Sequence, residues 1–204
     1  MDFKLILNYV IVCIIAYFLG NIATSYIVAK RAAKIDIRKH GSGNAGATNV
    51  LRVLGIKAAA ITFAGDALKG AVAVILGRYL AGDYGAVLAG LFVVIGHNWP
   101  ILLKFKGGKG VAATIGSMLA INPLIVLIVI IMGVIILITT KYVSLASITG
   151  MIIFPVFMIA FKQPVEYIAY SFLIAMIAIY RHRANIVRLF KGTELKLGQK
   201  SIPE

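Results

Sequence analysis

Residues 111–140 read VAATIGSMLAINPLIVLIVIIMGVIILITT, thirty positions without one charge. One straight helix of that length would rise about 45 Å, well past the ~30 Å hydrocarbon core of a bilayer. Asn122-Pro123 lies inside the run, and an Asn-Pro pair is a turn signal. The run therefore divides into a short segment, 111–121, and one of ordinary spanning length, 123–140. That division sets the parity of every later segment.

Working outward, apolar segments precede it at 3–29, 57–80 and 84–103, and follow it at 144–161 and 165–180. Asp66 and Lys69 interrupt the second, and Lys162-Gln163-Pro164 turns the chain before the last. The reading is an all-α integral membrane protein: a single membrane domain, residues 1–204, with about seven transmembrane helices. Composition agrees. Apolar residues make up 61% of the chain, charged residues 14%, and the mean hydropathy is +0.96. A soluble globule carries roughly 45–50% apolar residues and ~25% charged ones, so this chain could not hide its apolar surface from water. Disorder and a collagen-like chain are excluded. The single cysteine, Cys13, excludes an internal disulfide and reads as a small buried filler. The first segment is too long for a signal-peptide core and lacks a basic flank and a cleavage site, so it is expected to stay.

The net charge is +14, from 21 Lys and Arg against 7 Asp and Glu. With seven spans, one side of the membrane collects four basic stretches. They are Lys30, Arg31, Lys34, Arg38, Lys39, Arg52 and Lys57; then Lys104, Lys106 and Lys109; then Lys141; then Arg181, Arg183, Arg188, Lys191, Lys196 and Lys200. The opposite side has only Lys4, Arg78 and Lys162, and Lys69 lies within a span. The positive-inside rule then puts the N-terminus outside and the C-terminus in the cytoplasm. His40, His97 and His182 fall on the basic side too, so any chemistry is expected at the cytoplasmic face. Basic residues that flank spans, with no extended patch, argue against nucleic acid as a partner.

Three stretches on that side could carry chemistry. In the first, 40–52 (HGSGNAGATNVLR), glycines free backbone N–H groups to turn toward an anion, and Ser42, Asn44, Thr48, Asn49 and Arg52 add donors around Gly43. In the second, 96–114 (GHNWPILLKFKGGKGVAAT), Lys109 stands among Gly107, Gly108 and Gly110 just before a helix, a favourable position for an anion. It is not a Walker A loop, which needs G-x-x-x-x-G-K-[ST]. Lys104 and Lys106 read as interfacial lysines and Trp99 as an interface anchor. In the third, 181–194 (RHRANIVRLFKGTE), His182 and Asn185 share a helix face that Arg188 extends. The alternatives are a row of donors with a base, or a basic helix lying on anionic lipid. Asp66 and Lys69, three apart in a span, either pair with each other or orient a basic group from a neighbouring loop. Ser144 and Ser147 read as helix caps, with a substrate hydroxyl contact as the second possibility. No cluster suits zinc or magnesium, so no metal and no cofactor is expected.

Together these stretches resemble the acyl-phosphate:glycerol-3-phosphate acyltransferase (PlsY) family of bacterial membranes. The resemblance rests on GSGNAGATNVLR at 41–52, DALKG at 66–70, GHNWPILLKFKGGKGVA at 96–112 and HRANIVRLFKGTE at 182–194. It spans nearly the whole chain. It implies a multi-pass enzyme of the bacterial plasma (inner) membrane with its active site facing the cytoplasm. The implied reaction moves a fatty acyl group from acyl phosphate to the sn-1 hydroxyl of glycerol 3-phosphate, giving lysophosphatidic acid and phosphate for phospholipid synthesis. On that reading Lys109 and the backbone of residues 107–110, with Ser42, Thr48 and Arg52, hold phosphates. His182 and Asn185 complete the polar site with Ser147 nearby, and His182 is a base or a binder. Asp66, Lys69 and Glu194 orient or brace. A second acyltransferase could take the product. The competing reading is an organic-phosphate transporter, which would need polar groups along a membrane-crossing path.

Overall fold

The computed structural model describes residues 3–199; Lys200 of the basic tail lies outside them. Among the described residues there are helices and short 3-10 turns, and no strand. The helices are α1 (Phe3–Asn21), α2 (Thr24–Ala33), α3 (Ala47–Leu54), α4 (Ile56–Asn98), α5 (Val111–Ile121), α6 (Pro123–Thr140), α7 (Val143–Ala160), α8 (Val165–Arg181) and α9 (Arg183–Phe190). They form two compact units, Met1–Ile121 and Asn122–Glu204.

In the first unit, α4 runs for 43 residues, about 64 Å at helical rise and twice what a bilayer needs. It is not straight. Ala81 (φ −148°) and Gly82 (φ +65°) leave helical geometry and divide it into arms 56–80 and 83–98. Gly82 supplies the left-handed conformation that a side chain resists. The arms fold together as a hairpin: a Cβ on Gly77 would strike the Gly85 carbonyl, and one on Gly85 the Gly77 carbonyl. The 57–80 and 84–103 segments separate at this turn.

Helices α1 and α5 pack on the hairpin by the same device. Gly20 lies against the Val93 carbonyl, Gly96 against that of Tyr17, Gly70 against that of Ala113, and Gly116 against that of Ala67. Lipid tails are as apolar as leucine, so helices gain little by burying apolar side chains together. Close backbone approach at small residues supplies the packing instead.

Three features add detail to the apolar segments read from sequence. The 3–29 segment is not one helix: α1 ends at Asn21 and α2 begins at Thr24, because Lys69 takes up the carbonyls of Gly20 and Ile22 at the break. The 84–103 segment stops being α-helical at Asn98. Pro100 disfavours helix at the residue before it, and a 3-10 turn, Ile101–Leu103, follows. The loop of 30–57 contains α3, which packs Val50 with Ala29, Ile37, Ala58 and Ala59 in a small core. Cys13 is only half-buried.

In the second unit the helices fall close to the segments read from sequence. Asn122 caps α6 as its Oδ1 accepts from the Ile125 N–H at 3.0 Å, and its Nδ2 donates to Gln163 Oε1 at 2.8 Å. Pro164 precedes α8. Leu124, Leu127, Ile131, Val134, Ile135 and Ile138 of α6 are all exposed. In water each would forgo about 1.5–3 kcal/mol of burial, so lipid is the solvent this surface fits. Among the described residues, four helical runs are long and apolar enough to cross a bilayer: Phe3–Ala33, Ile56–Leu103 with its hairpin turn, Pro123–Thr140 and Val143–Ala160.

Candidate functional site

The first two polar stretches meet within the first unit. Residues 40–46 form a loop with Gly41 and Gly43 at positive φ, and α3 follows. Thr48 and Arg52 stand one helical turn apart on α3, both half-buried, so they share a face. Ser42 is exposed and Asn44 half-buried. Asn49 is buried and saturated by the loop itself. Its Oδ1 accepts from the Ser42 N–H at 2.9 Å, and its Nδ2 donates to the carbonyls of Ile37 (3.1 Å) and His40 (2.9 Å). Its amide shapes the loop rather than facing outward.

The second stretch leaves α4 and returns at α5. Lys104 and Phe105 both take left-handed φ, 55° and 61°. Gly107 and Gly108 are buried, and Lys109 between Gly108 and Gly110 is half-buried. The Gly108 N–H donates to the His97 carbonyl at 3.1 Å. A Cβ on Gly108 would collide with Nε2 of the His97 ring and come within 2.7 Å of the Ala45 carbonyl. The glycine turn of the second stretch thus touches the loop of the first. Asn98, fully buried, faces Gly110, and neither atom of its amide has a hydrogen-bond partner.

Two braces hold these loops. Arg38 donates to both Asp36 oxygens (Nε to Oδ1 2.9 Å, Nη2 to Oδ2 2.7 Å) and through Nη1 to the Leu103 carbonyl at 3.0 Å. Its guanidinium lies 5.4 Å from the Tyr26 ring centroid. The hydrogen bonds from Arg38 hold the Asp36 carboxyl down at about 2. The other brace is Lys69. Its Nζ lies 2.8 Å from Asp66 Oδ1 and 2.9 Å from His97 Nδ1, and donates to the carbonyls of Gly20 (3.1 Å) and Ile22 (2.7 Å). Asp66 therefore pairs with Lys69 and also lies 3.5 Å from His97.

The third stretch lies in the second unit and centres on Glu194. Its Oε1 accepts from Ser144 Oγ (2.7 Å) and Asn185 Nδ2 (2.6 Å), and its Oε2 from Arg188 Nε (2.7 Å). Burial pushes this carboxyl up, but the three donors and the Arg188 charge outweigh it and hold it below its ordinary value. Neither serine caps α7. Ser144 serves Glu194, and Ser147 Oγ donates back to the Val143 carbonyl at 2.9 Å. His182, buried at the α8–α9 junction, has Nδ1 2.8 Å from the Ala178 carbonyl. With the Nδ1 proton donated there, Nε2 is the acceptor. The tail closes on the α6–α7 turn, the Leu197 N–H donating to the Lys141 carbonyl at 2.7 Å and Lys196 Nζ 5.5 Å from the Tyr142 ring centroid.

Arg38, His97 and Asn98 were not singled out from sequence as site residues. The one available signal was the charge pair inside a span: a buried ammonium has more hydrogen-bonding capacity than one carboxylate fills, so further partners were due.

An all-helical, lipid-fitted protein with two glycine-rich basic loops in contact belongs among membrane proteins that handle anions. A protein-family model described as Glycerol-3-phosphate acyltransferase matches residues 10–192. A glycerol-3-phosphate acyltransferase of Alkaliphilus metalliredigens is 55% identical over 191 residues, 94% of this chain and 97% of that protein. Two crystal structures of PlsY, an integral membrane glycerol 3-phosphate acyltransferase, match this fold at 38% identity and 93% of this chain. The glycerol 3-phosphate form has a TM-score of 0.89 over 96% of that chain, and the lysophosphatidic acid form 0.87 over 95%. This chain belongs to the glycerol-3-phosphate acyltransferase family and is an acyltransferase.

Proposed function

We propose that this enzyme transfers a fatty acyl group from acyl phosphate to the sn-1 hydroxyl of glycerol 3-phosphate, at the cytoplasmic face of the bacterial plasma membrane. The observation that carries the reading is the contact between the Gly107–Gly110 turn and the loop of residues 40–46, each beside a cation, in a chain whose relatives are named for this substrate. The 17 to 3 division of basic residues supports seven spans with the N-terminus outside.

The hydroxyl oxygen attacks the carbonyl carbon of the mixed anhydride, and the bond from that carbon to the phosphate oxygen breaks. Lysophosphatidic acid and inorganic phosphate leave, and the hydroxyl proton passes to a base. Phosphate is a good leaving group, so no covalent acyl-enzyme is needed, and positioning with charge stabilisation suffices. Lys109 and Arg52 supply positive charge to the phosphates. Ser42, Gly43, Asn44 and Thr48, with the backbone at Gly107, Gly108 and Gly110, supply donors, and Asn49 holds its loop in shape. His182 presents Nε2 as the acceptor for the proton. Asn185 and Ser147 bind alongside it, while Asp66, Lys69 and Glu194 orient and brace. The product is a substrate for a second acyltransferase.

The test is purified protein in detergent with an acyl phosphate and glycerol 3-phosphate. Lysophosphatidic acid should form without added metal or nucleotide, and Lys109→Ala and Arg52→Ala should each lower kcat/KM by about 10²-fold or more. Activity with acyl-CoA alone would refute the donor. Uptake of glycerol 3-phosphate into vesicles without acylation would favour a transporter.

A further inference from the structure

Lys69 Nζ gathers four partners from three places: the carbonyls of Gly20 and Ile22 at the α1–α2 break, Asp66 one turn before it on the first arm of α4, and His97 at the end of the second. An ion pair kept merely to neutralise itself would need only Asp66. His97 Nδ1 lies 2.9 Å from that ammonium and 3.5 Å from Asp66 Oδ1, which leaves Nε2 on the opposite edge of the ring. That nitrogen occupies the space a Cβ on Gly108 would claim. The last turn of α4 also receives the Gly108 N–H at the His97 carbonyl, 3.1 Å away. His97 is buried, 6% exposed, so its ring has little room to rotate away.

We propose that His97 is a positioning residue. Its ring, fixed on one side by Lys69 and Asp66, supports Gly107–Gly108 on the other, so that Lys109 and the loop amides are presented in one conformation. The inference rests on the reading that this loop holds a substrate phosphate, and extends it to a group buried beneath the loop. A misplacement of about 1 Å in a positioning element can cost 10²-fold in rate, so a tether of this kind is worth its buried charges.

The experiment uses full-length enzyme in detergent, with kcat, KM for glycerol 3-phosphate, monodispersity and Tm measured for His97→Asn, Gly108→Ala and the double variant. Asparagine reproduces the Nδ1 contact to Lys69 but vacates the space under Gly108. His97→Asn should keep Tm close to wild type and raise KM about tenfold with kcat within about twofold. Gly108→Ala should raise KM at least as far. The double variant should recover at least about threefold of that loss, because the added methyl enters the vacated space. Replacing the ion pair as Asp66→Asn with Lys69→Met should raise KM too, without altering the loop; it carries the test if His97→Asn does not fold. A wild-type KM in folded His97→Asn, or losses that multiply in the double variant, would overturn the tether while leaving the phosphate loop standing. A wild-type KM in Gly108→Ala would overturn both.

Discussion

Asp36 and Glu194 show how single carboxylates hold the loops around this site. Each is depressed below its ordinary value, Asp36 to about 2 by its hydrogen bonds to Arg38, so each stabilises the fold while ionised. For a depressed acid that stabilisation is full above the unfolded value and is lost as pH falls through the folded one. Wild type should therefore lose Tm between pH 4 and about 2, and Asp36→Asn should lose less over that window while starting lower at pH 7. Equal slopes for the two proteins would remove Asp36 from the account. Lys69 gives a sharper contrast. Lys69→Met strands the buried Asp66 carboxylate and should cost about 3–5 kcal/mol, read as a fall in Tm and in monodisperse yield, whereas the paired Asp66→Asn/Lys69→Met change should be milder.

Among the elements, packing at glycines separates positions that read alike in sequence. Gly70 of α4 lies against the Ala113 carbonyl, while Gly133 of α6 has the Ala146 carbonyl 3.8 Å from its Cβ position, an ordinary contact. Gly70→Ala should push α5 away from α4 and lower both Tm and activity. Gly133→Ala should be neutral or stabilising, since alanine is favoured over glycine inside a helix by up to about 1 kcal/mol. Thermal unfolding in detergent checks both. A Gly70→Ala protein as stable as wild type would mean that the α4–α5 contact is looser than drawn. Asn122-Pro123 marks the start of α6 and Lys162-Gln163-Pro164 the end of α7, and both boundaries were legible as local signals, whereas the end of α4 at Asn98, just before Trp99-Pro100, was not read. The α1–α2 break was not legible, because its cause is Lys69, a residue 47 positions beyond Ile22. The helix α3 was missed because its short apolar pattern is embedded in a stretch that reads as a polar loop.

For the whole molecule, membrane sidedness is the prediction that the charge distribution makes. In a Cys13→Ala background, single cysteines at Ser42, Lys109 and Asn185 should react with an impermeant maleimide only from the cytoplasmic side, and cysteines at Gly82 and Gln163 only from the outside. Labelling of the three signature positions from opposite sides would end the proposed reaction geometry. Length, composition and charge determined by themselves that the chain is helical, fits lipid and carries its cations beside glycine-rich loops, because hydropathy and charge act over short windows that any reader of the sequence can see. The candidate phosphate-binding residues were legible for the same reason. Only the tertiary structure decided that Asn49 is spent inside its own loop, that Ser144 and Asn185 answer to Glu194, and that His97 lies beneath Gly108. Each of those is a contact between residues far apart in the chain or a hydrogen bond whose partner could have been water. Their identity depends on which backbones approach closely enough to exclude everything else.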